Sequence, residues 1–96
     1  MNSLARKFEH MFVATRVWFT EDSICLQLAD GREIKTPLEY YPKLKDATPE
    51  QRKKFRILGL GTGIQWEGLD EDLSVEGIVL GRPSFLHKAS KKRSKK

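Results

Sequence analysis

The chain has 96 residues, enough for one domain that removes about two thirds of the surface its unfolded form would expose. Its apolar fraction of 39% and charged fraction of 32% fit a globular protein and exclude wholesale disorder, and its single cysteine excludes an intrachain disulfide or a cysteine-based metal site. The formal charge of +5 is uneven, because residues 1–87 hold 12 Lys+Arg against 13 Asp+Glu, net −1, while residues 88–96 hold six basic residues and no acidic one, net +6.

Residues 1–12 place Leu4, Phe8 and Met11 at helical spacing behind Ser3, a candidate N-cap, in a segment too short to be helical alone. They are expected to form an arm, followed by one α+β domain over 13–86 and a disordered basic tail over 87–96. From Val13 the period becomes two, with Val13, Thr15, Val17 and Phe19 on one side and Ala14, Arg16, Trp18 and Thr20 on the other, which predicts a strand. Glu21-Asp22-Ser23 turns the chain, and Ile24, Leu26 and Leu28 alternate along a second strand. A two-residue loop at Asp30-Gly31 would put Ile34 on the wrong face. A three-residue loop with Gly31 at positive φ instead pairs Leu26 with Ile34 and Ile24 with Thr36, so a bulged hairpin is predicted.

Pro37 ends the third strand and Leu38 to Pro42 form a bend. Thr48-Pro49-Glu50-Gln51 is the clearest local signal: a capping threonine, proline at the first helical position, and glutamine three residues after the cap. It predicts a helix to about Leu58, with Phe55 and Leu58 on its buried side and Gly59 as its stop. Ile64-Gln65-Trp66 reads as a short strand, and Leu73 to Leu80 as a last helix capped by Asp72 or Ser74. The expected fold class is α+β: a small antiparallel sheet, made of an N-terminal three-stranded meander and a later short strand, covered by two or three short helices.

No catalytic residue emerges. Gly59-Leu60-Gly61-Thr62-Gly63 lacks the strand-to-helix setting and the Lys-Ser/Thr pair of a phosphate loop and reads as a turn. Glu67, Asp70, Glu71 and Asp72 match no calcium-loop spacing and are expected to form a solvated acidic edge, while His10 and His87 have no partner at ligand spacing. No cofactor, metal or small-molecule substrate is expected, and no membrane span approaches the roughly 20 apolar residues required. A reducing cytoplasmic location fits the lone Cys25.

Binding is the remaining chemistry. Trp18 shares its side with Arg16 and Thr20 and is expected to be partly exposed, Trp66 is expected in the core, and Tyr40 and Tyr41 stay open between the two. The candidate partner-binding residues are Trp18, Tyr40, Tyr41, Glu67, Asp70, Glu71, Asp72 and Glu76. The tail, with Lys88, Lys91, Lys92, Arg93, Lys95 and Lys96 and no aromatic residue, can meet only phosphates or another acidic surface, or serve solubility alone.

Taken together, Leu28-Ala-Asp-Gly-Arg32, Pro37-Leu38 with Tyr41-Pro42 and Leu44, Ala47-Thr-Pro-Glu-Gln-Arg52, Gly63-Ile-Gln-Trp66 and Leu69-Asp-Glu-Asp-Leu-Ser-Val-Glu-Gly77 resemble the bacterial family catalogued as domain of unknown function number 2442. The resemblance runs from Ala14 to Gly81. It implies a small α+β fold without established catalytic residues, often encoded beside another small protein in the manner of toxin and antitoxin pairs. Some members are fused to a helix-turn-helix segment, whereas the residues after Gly81 here are expected to form only a basic tail. The expected function is therefore a non-catalytic protein-binding module, antitoxin-like or a mobile-element-encoded inhibitor, whose partner is a basic or nucleic-acid-handling protein encoded by an adjacent gene. The alternative is a nucleic-acid-associated accessory protein that uses the basic tail.

Overall fold

The computed structural model describes residues 12–84. The N-terminal arm, His10, His87, and the basic tail from Lys88 to Lys96 lie outside them. Two antiparallel three-stranded sheets form the body: β1 (Ala14–Phe19), β2 (Ser23–Leu28) and β3 (Glu33–Pro37) in that order, and β4 (Arg56–Leu58), β5 (Gly63–Trp66) and β6 (Glu71–Ser74) in that order. Among the described residues, α1 (Pro42–Lys45), α2 (Pro49–Lys53) and α3 (Val75–Val79) are the short α-helices that complete it. The α+β class is as expected, but the later strand belongs to a second sheet of its own.

The predicted register of the second hairpin holds. Leu26 lies opposite Ile34 and Ile24 opposite Thr36. Gly31 takes φ +97°, where a side chain would be strained, and the loop closes through Gly31 N–H to Leu28 O (2.9 Å) and Leu28 N–H to Arg32 O (2.8 Å). Asp30 accepts from the Arg32 backbone N–H (3.0 Å) and from Arg32 Nε (2.9 Å). The backbone bond is the main reason that its carboxyl is held below its usual range.

Strict alternation fails in β1. The pairing shifts between Ala14, opposite Leu28, and Arg16, opposite Gln27, so Thr15 is the extra residue of a bulge. Ala14 consequently turns into the core and Thr15 outward, the reverse of the predicted assignment, and Thr15 Oγ1 donates to Gln27 O (3.2 Å).

The capping box at Thr48 forms as predicted: Thr48 Oγ1 accepts from Gln51 N–H (3.1 Å) and Gln51 Oε1 accepts from Thr48 N–H (2.9 Å). The helix that it starts is shorter than predicted. It ends at Lys53, Lys54 leaves helical geometry at φ −92° and ψ 65°, and Arg56 to Leu58 pair with β5 instead. Strand pairing beside Trp66 has overridden a local sequence that is compatible with helix. Arg52 ties α2 to α1, with Nε donating to Leu44 O (2.7 Å) and Nη2 to Lys45 O (2.9 Å), both carbonyls of the last turn of α1.

The last predicted helix also divides. Glu71 to Ser74 form β6, and the helix begins only at Val75, where Ser74 Oγ accepts from Gly77 N–H (2.9 Å); of the two candidate caps, Ser74 is the one used. The core lies between the sheets, where Ile24, Leu26 and Leu28 meet Ile64, Trp66 and Leu73, with Leu38, Tyr41, Leu44, Val75 and Ile78 closing the sides. Each such side chain contributes about 1.5–3 kcal/mol by burial. Trp66 is fully buried, as expected, edge-on to Phe19 (centroids 6.3 Å), and its Nε1 donates to Arg52 O (2.9 Å). The second sheet thus provides much of the cover predicted to come from helices.

Candidate functional site

The candidate binding residues fall on different parts of this frame. On the first sheet, the face turned away from the core carries two cross-strand rows, Arg16–Gln27–Glu33 and Trp18–Cys25–Lys35. Trp18 is half-buried, as expected, and the Arg16 guanidinium lies over its ring, 4.4 Å from the centroid. Cys25 is buried in the middle strand, and burial pushes its thiol up, leaving little thiolate at neutral pH.

The acidic residues gather along β6, an outer strand of the second sheet, and along its two flanking connections. Asp72 lies on the exposed side of β6, in a row with Gln65 and Arg56, where Arg56 Nη2 donates to Gln65 Oε1 (3.0 Å). Glu67 and Asp70 are exposed in the β5–β6 connection, and Glu76 is exposed in the first turn of α3. Asp70 adopts the left-handed conformation (φ 52°), and its carbonyl accepts from Lys43 Nζ (2.8 Å), which links this connection to α1.

Glu71 departs from the expected solvated edge. The alternation of β6 turns it inward on the row of Trp66, where it is 1% exposed, so it offers no charge to a partner. Tyr41 is excluded from a surface role for the same reason: it is 1% exposed in the core, whereas Tyr40 is half-buried beside it. Thr36 faces the Tyr41 hydroxyl without closing a well-formed hydrogen bond, and burial pushes the phenol up to about 12.

One exposed residue went unread in the sequence. Leu60 is 90% exposed at the tip of the β4–β5 hairpin, between Gly59 (φ +60°) and Gly61 (φ +104°). The loop that presents it is fixed by Gly61 N–H to Leu58 O (3.1 Å), Ala14 N–H to Gly61 O (2.7 Å) and Val75 N–H to Thr62 O (2.9 Å). The available signal was an apolar residue isolated between two glycines in a turn. The glycine-rich stretch joins two strands, so it follows a strand and not the predicted helix, and it lacks the strand-to-helix setting of a phosphate loop. Among the described residues, no group of three or more His, Cys, Asp or Glu is placed to hold a metal, and no helix is long and apolar enough to cross a membrane.

Two small antiparallel sheets closed over one core, with short capped helices at the rim, define the class of fold to which comparison can be made. The chain belongs to the family described as Protein of unknown function (DUF2442), whose model matches residues 14–84. Two solved structures are similar to it. A protein of unknown function from Rhodospirillum rubrum is 29% identical, with a TM-score of 0.66 over 74% of this chain and 88% of its own. An uncharacterised protein from Chromobacterium violaceum, solved by NMR in solution, is 30% identical, with a TM-score of 0.64 over 85% of this chain and 74% of its own. No curated protein matches.

Proposed function

We propose that this chain is a small non-catalytic protein-binding module of the antitoxin or inhibitor kind, encoded beside its partner, and that the partner is a basic protein which handles nucleic acid. The observation that carries the reading is the exposed run of Glu67, Asp70, Asp72 and Glu76 along the β6 edge, in a body whose net charge without the tail is −1. Carboxylates clustered on one strand and its flanks steer a cationic partner and orient it more than they add affinity. The half-buried Trp18 with its stacked Arg16, and Leu60 on its fixed loop, supply apolar contact of the type that dominates interface energetics.

The test is co-expression with the product of the adjacent gene, followed by copurification and by rescue of growth against that product. The triple variant Glu67→Lys, Asp72→Lys, Glu76→Lys should melt as the wild type does yet lose both the complex and the rescue. A chain that purifies alone from its own host and never rescues growth refutes the proposal.

A second reading rests on the +6 charge of residues 88–96. There the tail grips phosphates, and apparent affinity falls with log salt at a slope near −5, about 0.9 per neutralised phosphate. Gel shifts with the full chain and with a chain ending at Leu86 decide it: equal affinity in both, or none in either, removes this reading.

A further inference from the structure

The outward face of the first sheet holds three charged side chains, Arg16, Glu33 and Lys35, that form no ion pair among the described residues. Their placement is ordered. Arg16 on β1 and Glu33 on β3 occupy the two ends of one cross-strand row with Gln27 between them, and Trp18 and Lys35 occupy the two ends of the next row with Cys25 between them. At about 4.8 Å per strand, the ends of each row stand roughly 10 Å apart, too far to neutralise one another.

We propose that this face docks on the same face of a second copy of the chain, with the two-fold axis running along β2 in the plane between the sheets. Rotation about that axis exchanges β1 with β3 and keeps each row opposite itself. Arg16 then faces Glu33 of the second copy, Trp18 faces Lys35 of the second copy, and Gln27 and Cys25 face their own counterparts near the axis. A two-fold contact needs a self-complementary patch, and here each end of each row meets its complement, cation to carboxylate or cation to indole ring. Aligned sheets pack about 10 Å apart, a gap that the extended Arg16 and Glu33 side chains bridge from opposite sides. Arg16 stays exposed while it lies over its own Trp18, and the edge of a guanidinium is the part that grips a carboxylate with two parallel hydrogen bonds.

The patch is small, about 14 Å across three strands and about 17 Å along five residues. At roughly 240 Å² per copy the contact lies below the size of stable interfaces, so association is weak and concentration-dependent, and it leaves the β6 edge free for the partner proposed above. The acidic run lies on the other sheet and only Trp18 and Arg16 are common to both readings, so lost self-association with retained rescue of growth, or the reverse, tells the two failures apart.

Sedimentation equilibrium of the full chain from about 10 µM to about 1 mM is the direct test, with the charge reversals Arg16→Glu and Glu33→Arg alone and together. Each single reversal occurs twice in the symmetric contact and should weaken self-association about ten-fold or more, and the double reversal should restore it to within about three-fold of wild type. Both residues are exposed, and unchanged thermal melting confirms that the fold is kept. A wild-type chain that stays monomeric throughout, a single reversal without effect, or a double reversal that fails to restore association overturns the proposal. The last outcome would also exclude this axis in favour of one across the strands, which would instead set Glu33 against Lys35 of the second copy.

Discussion

Replacing Tyr41 with phenylalanine removes a hydroxyl that is buried beside Thr36 without a well-formed hydrogen bond, and the consequence depends on pH. At pH 7 the variant sacrifices no well-formed bond, so its stability should stay within about 1 kcal/mol of wild type or exceed it. In alkali the two diverge. The phenol ionises at about 12 in the folded chain against an ordinary 10.0, because burial disfavours the charged form. A group raised in this way contributes stability that is fully present below pH 10 and is lost as pH rises toward 12. The two-unit shift corresponds to about 2.7 kcal/mol in all, of which about 1.4 kcal/mol is lost by pH 11. Urea unfolding followed by far-ultraviolet circular dichroism at pH 7, 9, 10 and 11 gives the measurement. The wild type should fall below Tyr41→Phe by about that amount between pH 9 and 11. Parallel curves for the two proteins would show that the phenol is hydrated or bonded in the folded state and would refute the argument.

Three further outcomes are expected. Gly61→Ala should cost about 2–5 kcal/mol, since a Cβ there would stand 2.6 Å from Ala14 O and 2.8 Å from Val13 Cγ1 at a positive φ, whereas Gly31→Ala, with open space around it, should cost about 1 kcal/mol; paired urea melts make the comparison. Trp66→Phe should cost about 2–4 kcal/mol by leaving Arg52 O without its donor and opening space in the core, measured by the same melts. Thr48→Ala should cost about 0.5–2 kcal/mol through loss of the helix cap, while Leu60→Ser, which removes almost no buried surface, should change thermal stability by less than about 0.5 kcal/mol.

What was legible in the sequence follows from where local chemistry and tertiary demand agree. The Ala29-Asp30-Gly31 turn and the Thr48 cap carry their geometry within a few residues, and both formed as read. The bulge at Thr15 left no local mark, because its cause lies in how β1 meets β2 and the Gly61 carbonyl. β4 and β6 are three and four residues long, too short for alternation to stand out, and each abuts a segment that is compatible with helix. Missing β6 is what misplaced Glu71: read in a loop it looks solvated, but read in a strand it must alternate with Asp72 and turn inward. Asp70 and Asp72 could be expected at the surface from composition alone, whereas Leu60 becomes conspicuous only when the hairpin that carries it is seen.

The division of the core between an early sheet and a late one bears on how the chain is made. The meander is complete at Pro37, with Ile24, Leu26 and Leu28 aligned on one side, yet the residues that cover that side, Ile64, Trp66, Leu73, Val75 and Ile78, are all translated later. At about 5–20 residues per second, the growing chain carries an uncovered apolar sheet for a few seconds, and its last cover is still inside the ribosome when the meander is already outside. Vectorial synthesis therefore leaves this small protein exposed to misassembly in an interval that refolding from urea never samples. Chaperone capture should accordingly concentrate on nascent chains whose emerged portion includes the meander and stops short of Trp66.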